Sequence, residues 1–384
     1  MSIRIFSLWL VMAVFASPLY AASSKSLTIL YTADVHGEDR PTFLCAGKTG
    51  GGLARKAIMV GAWRTITPDM LLLDCGGVLP LDNEHPKLRS DIIFKGMNEL
   101  SYDAMNLSGS DFILGESYLE SWSASLSFPL ISSNLVSTDG TPPPPWIKRF
   151  AILRSGALSI GVLGVMPEDA FDRISDARTP SGMQLVSSSG ETMDREPTFQ
   201  KPSGLKIIPP LKAVADLLPE LAGQVDYIVL LSQLSVEDTA ALVSRTEGID
   251  LALSHERRHE YDIEKEGEIS VAPCGTRASN LEIMELSISP EGKTTIVKSE
   301  PIEMGDIVPH DPDMEQLIAD AYAEKMREIR EERKSKKMGT LHRQLMEGLT
   351  MSPEDFLLKM NQEGDAGPAV TGETGGDVEK PSSN

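Results

Sequence analysis

Several short runs in this chain, "LTILYTA", "MLLLDCG", "LSIGVLGVM" and "VDYIVLLSQ", are apolar almost throughout rather than at alternate positions. That pattern constrains the fold more than any other feature, because a strand with two apolar faces must be covered on both. Further strand candidates are "AMNLSG", "FPLISSN", "RFAILRSG", "IDLALS", "EISVAPCG" and "LEIMELSIS". Amphipathic helices lie between them. Leu211, Val214, Ala215 and Leu218 fall at i, i+3, i+4 and i+7 behind Pro210, which suits a first helical turn. "RSDIIFKGMNEL" and "SVEDTAALVSRTE" read the same way. The alternation predicts a layered α/β domain over 23–305.

Within that domain, 167–209 is rich in Ser, Pro, Gly and Thr and reads as a long surface excursion. Pro142 to Pro145 form a stiff polyproline turn. A charged helix is expected over 306–340, with acids early and Lys334, Lys336 and Lys337 late, and its face reads as solvated. The segment 361–384 lacks the apolar residues a core needs and is expected to be disordered.

"MSIR", the apolar "IFSLWLVMAVFAS" and the small residues of "PLYAAS" make 1–22 a secretory signal, so the expected location is periplasmic or secreted. No stable membrane anchor is expected after cleavage. The 384 residues carry a net charge of -20, which opposes any nucleic-acid partner. A small anionic ligand remains compatible, and no protein partner is legible. Cys45, Cys75 and Cys274 allow at most one internal disulfide, whose pairing spacing does not reveal.

Chemistry is concentrated where "LTILYTADVHGE" leaves its strand. Alternate residues point the same way, so Asp34 and His36 can converge on one ion while Gly37 lets the chain turn. "GGLARKAIMV", "MLLLDCGGVL", "YDAMNLSGSDF", "LISSNL", "LSIGVLGVM", "VDYIVLLSQLS" and "IDLALSHERRH" follow in order. From Leu27 to about Ile288 this series resembles the 5'-nucleotidase (UshA-like) branch of the calcineurin-like metallophosphoesterases. The resemblance implies a four-layer fold, two mixed β-sheets sandwiched by helices, with metal ligands on loops at the strand ends. It also implies two metal ions that clamp a phosphate and activate water.

Compared with the family pattern, Asp34, His36 and His255 keep ligand chemistry. Gly77 stands at the position of the bridging aspartate, Gly109 at that of an asparagine ligand and Ser110 at that of the catalytic histidine. Gln233 and Arg257 replace two further histidines. Two dications about 4 Å apart repel by roughly 16 kcal/mol at an effective dielectric near 20, so losing the shared carboxylate at position 77 disfavours a paired site. The expectation is a retained fold without ordinary two-metal hydrolysis, leaving ligand binding or altered chemistry at the old site. The alternative is a mononuclear phosphoesterase with one divalent ion, zinc or manganese, on Asp34, His36 and His255, with His259 or Asp74 as helpers. A weaker alternative is thiol or redox chemistry at Cys75, against a buried packing role. Arg257 either replaces part of a metal's charge or is a surface cation. Arg55 is expected to stabilise the helix beside the site. The family's C-terminal nucleotide-binding domain finds no counterpart after about Pro301, so nucleotide specificity is not transferred.

Overall fold

The computed structural model describes residues 24–43, 48–80, 85–177, 201–256, 264–266, 269–274, 280–350, 352 and 354. The chain divides into two units, Met1–Ala321 and Tyr322–Asn384. Two mixed sheets build the first. In one, Thr294–Glu303, Asn280–Ile288, Lys25–Thr32, Leu71–Asp74, Ala104–Asn106, Leu130–Ile131 and Ile147–Lys148 lie side by side in that order. Its first two pairings are antiparallel and the rest parallel. The other runs Glu264–Glu266, Ile269–Pro273, Leu251–Ser254, Tyr227–Ser232, Leu158–Val165 and Phe150–Ser155, antiparallel only at its two edges.

The apolar runs explain this layering. Leu27, Ile29 and Tyr31 of the first strand share a core with Ile160, Val162, Val229 and Leu231 of the second sheet, so the sheets face one another. Leu163, Val165 and Leu230 point to the opposite side and pack with Val214 and Leu217 of the helix Pro210–Leu221. Each fully buried Leu, Ile or Val contributes roughly 1.5–3 kcal/mol relative to exposure. On the first sheet's side, Leu53 of the helix Leu53–Ile66 lies 2.7 Å from where a Cβ on Gly96 would stand. Glycine at position 96 of the helix Pro86–Glu99 lets Leu53 sit this close without shifting its side chain.

Three boundaries differ from the sequence reading. The excursion over 167–209 is ordered at its ends: Ala170–Ala177 is a helix with Phe171 and Ile174 buried, and Leu205–Ile207 pairs with Leu135–Ser137. The surrounding Ser and Pro residues mask that short amphipathic turn, and 178–200 lies outside the described residues. The charged helix runs Pro312–Thr350, beyond the expected end at 340, because Gly339 costs only about 1 kcal/mol in a helix interior. Thr294–Glu303 is an additional edge strand, whose half-exposed pattern and Pro301 hide it from a search for apolar runs. The leader and the segment 361–384 lie outside the described residues. Among those described, no helix is long and apolar enough to cross a membrane.

A buried lysine interrupts the apolar layers. Lys56 is 2% exposed, with Nζ 3.5 Å from the Tyr102 hydroxyl. That hydroxyl lies 2.9 Å from Thr32 Oγ1, which donates to Asp74 Oδ2 at 2.6 Å. Burial lowers the Lys56 pKa against the pull of Asp74, and burial raises Asp74 to about 7 against its hydrogen bonds from Thr32 and the Gly76 N–H. Breaking such a group one-sidedly is costly, whereas removing both charges is not. Lys56→Met alone is expected to destabilise the fold by about 3 kcal/mol. The double variant Lys56→Met/Asp74→Asn should lose less than the sum of the single variants by about 1–3 kcal/mol, read by urea unfolding.

Candidate functional site

The candidate site forms where Lys25–Thr32 and Leu71–Asp74 end together. Their loops continue side by side: Asp34 N–H donates to Gly76 O at 2.9 Å, His36 N–H to Gly77 O at 2.9 Å and Gly37 N–H to Val78 O at 2.7 Å. These bonds hold Asp34 and His36 both at φ +48°, a left-handed conformation uncommon outside glycine. Such backbone persists only where the surroundings fix it, and it recurs at functional sites.

Asp34 is buried, and its carboxylate is the meeting point of the old motifs. His255 Nδ1 lies 2.8 Å from Asp34 Oδ2. Gln233 Nε2 donates to Cys75 O at 3.0 Å and reaches Asp34 Oδ1 at 3.4 Å. The structure thus brings Asp34, His255 and Gln233 together, with His36 half-buried two residues along. Arg257, His259 and Cys45 lie outside the described residues.

The emptied positions are not vacant space. Gly77 has φ +81°, and a Cβ added there would stand 2.3 Å from Asp34 Oδ1. A Cβ on Gly109 would stand 2.6 Å from the backbone oxygen of Ala170, where the helix Ala170–Ala177 closes on the 3-10 turn Gly109–Phe112. Phe171 and Phe112 lock this contact edge to face at 5.1 Å. Ser110 Oγ, at the catalytic histidine position, is 2.7 Å from Ser108 Oγ. Among the described residues, no three His, Cys, Asp or Glu side chains converge to hold a metal ion. The residues present do not fit a two-metal centre, and no reaction step is derived through one.

Cys75 is fully buried, its Sγ 3.6 Å from Leu253 O. Burial, with Asp74 and Asp34 nearby, pushes its pKa well up, and burial does the same to Cys274. A buried thiol held protonated is a poor nucleophile, so the packing role fits Cys75 better than redox chemistry. Cys75 is a free thiol. Arg55 joins its helix to Met304 O at 3.3 Å, Thr49 Oγ1 at 3.1 Å and Asp306 at 3.2 Å.

Sequence reasoning missed the group that shapes the loop. Asp111 is buried and accepts five hydrogen bonds, from the N–H groups of Gly77, Val78, Leu79 and Ser108 and from Ser108 Oγ, at 2.8–3.2 Å. Burial raises its pKa, and these bonds oppose the rise. The signal was the Ser-x-x-Asp capping box in "SGSDF". Asp111→Asn places an amide donor against these donors and should cost about 3 kcal/mol in urea unfolding, since hydrogen bonds to a charged group are worth ~1.5–3 kcal/mol.

No protein-family model matches the chain. Over 152 residues it is 32% identical to snake venom 5'-nucleotidase of Gloydius brevicauda, covering 38% of this chain and 26% of that protein. The match thus spans about a quarter of the relative's length. Its fold is similar to that of a 5'-nucleotidase precursor from Thermus thermophilus, with TM-score 0.62 at 19% identity over 79% of this chain and 59% of that one. The calcineurin-like phosphoesterase YfkN from Bacillus subtilis is matched with TM-score 0.57 and 18% identity, over 80% of this chain and 99% of that one. Sequence likeness over part of the chain and likeness of fold point the same way, to 5'-nucleotidases and calcineurin-like phosphoesterases.

Proposed function

We propose that this protein keeps the 5'-nucleotidase-like fold without ordinary two-metal hydrolysis and acts outside the cytoplasm as a binding protein. The approach of Gly77 to Asp34 supports the reading: at φ +81°, a Cβ at position 77 would stand 2.3 Å from Asp34 Oδ1 and 3.1 Å from Asp34 Cα, so a carboxylate there requires a strained backbone and the Asp34 side chain to turn away. The Asp34 carboxylate is answered instead by His255 and Gln233. Arg257, two residues after His255 in sequence, favours a small anion as the ligand. The N-terminal signal pattern and the venom origin of one relative support the location.

A second reading is a phosphoesterase with a single divalent ion on Asp34, His36 and His255; it starts from the 2.8 Å meeting of Asp34 and His255 and requires His36, which does not converge with them, to turn toward that pair. Hydrolysis of AMP and of bis-p-nitrophenyl phosphate with added manganese or zinc separates the two. Turnover no faster than the buffer blank supports the binding protein, and turnover abolished by His36→Ala supports the single-ion enzyme.

Restoring the family's residues offers a second check. Gly77→Asp and Gly109→Asn should each destabilise the fold by at least about 1–3 kcal/mol, through left-handed strain at 77 and a backbone clash at 109. Neither should gain phosphatase activity. A stable Gly77→Asp/Gly109→Asn variant with new turnover would show that the site is merely lacking two side chains.

A further inference from the structure

Glu256 stands between two positions of the family pattern, 255 and 257, and belongs to neither. It follows His255 as the chain leaves the strand Leu251–Ser254, where successive side chains point to opposite faces. Leu253 lies in the core between the sheets, and Ala252 in the core beneath the helices. His255 keeps to the side of Leu253, and its Nδ1 reaches Asp34 Oδ2 at 2.8 Å. Glu256 keeps to the side of Ala252. Its Oε2 accepts the N–H of Val236 at 2.8 Å, the first residue of the helix Val236–Val243. A helix leaves that donor unpaired, and its N-terminus favours a carboxylate there. Ser254, on the same side, donates from Oγ to Leu234 O at 3.0 Å. The His255 N–H donates to Ser232 O at 2.9 Å. Side-chain bonds from Ser254 and Glu256 therefore fix the His255 backbone from both ends.

We infer that Glu256 is a positioning residue, whose bond to the Val236 N–H holds the turn that aims His255 at Asp34. A carboxylate only accepts, so the contact with Asp34 calls for hydrogen on Nδ1 and leaves Nε2 as the nitrogen turned away. The His255 side chain is 28% exposed against 12% for Asp34, which makes the ring the more accessible member of the pair. Glu256 thereby sets which ring nitrogen His255 offers to a ligand or an ion. The inference goes beyond the binding reading and holds for the single-ion alternative as well, because both use His255.

Nitrogen-15 NMR of the histidine rings in the full chain tests it, since six histidines can be assigned by substitution. At a pH where imidazoles are neutral, His255 is expected as the Nδ1–H tautomer. Asp34→Ala supplies the released spectrum, shifted toward Nε2–H. Glu256→Ala should move the His255 signals most of the way to that spectrum. Val236→Pro should do the same by deleting the donor. Proline suits a first helical position, and Ser235, at φ -56° and ψ 161°, suits the residue before it. The double variant Val236→Pro/Glu256→Ala should move the signals no further. Glu256→Gln, whose amide oxygen still accepts, should stay nearer the parent. A lowered urea midpoint in Glu256→Ala with unmoved His255 signals would mean that Glu256 only caps the helix, and overturns the inference. Parent signals left unchanged by Asp34→Ala overturn it too, because His255 is then not held by Asp34. Neither result bears on whether the site binds an anion, which the turnover and metal measurements decide separately.

Discussion

Asp34 and residue 77 compete for one volume. The two loops that leave the central strands are joined by consecutive backbone hydrogen bonds, from Asp34 to Gly76, His36 to Gly77 and Gly37 to Val78. That pairing sets the Asp34 carboxylate against the Gly77 backbone, and glycine suits the position because it adopts φ +81° without strain and leaves the carboxylate where it stands. The rest of the site follows. Asp34 turns to His255 and Gln233 for its hydrogen bonds, and Ala170 closes over Gly109.

Around this contact lie buried polar groups held by specific hydrogen bonds. Asp111 gathers the N–H groups of the loop, fixing Gly77, Val78 and Leu79 from behind. Lys56, Tyr102, Thr32 and Asp74 form a second chain of contacts beneath the strand ends. Such groups are expensive to bury and expensive to break singly, so they hold the loops in one arrangement whether or not a ligand is present.

The fold was largely legible because the strand cores are apolar on both faces, and that requires two covering layers. "LSIGVLGVM" and "VDYIVLLSQ" became paired parallel neighbours, as their composition demands. The edge strand Thr294–Glu303 was not legible, since one open face removes the apolar run and Pro301 argues against a strand. At the site, the identities of Asp34, His36 and His255 could be read, but not the refilling of the space at Gly77 and Gly109, which depends on contacts between residues distant in sequence. The buried Lys56 read as part of a helix, and nothing local marks it as lying beside Asp74.

The central claim is that the old metal volume is occupied by the protein's own atoms. Metal content of the purified full chain, measured by inductively coupled plasma mass spectrometry after equilibration with manganese and zinc and removal of free ions, tests it most directly. Well under one equivalent per chain is the expected result. Two equivalents, bound tightly enough to survive desalting and lost together on Asp34→Ala, would contradict it.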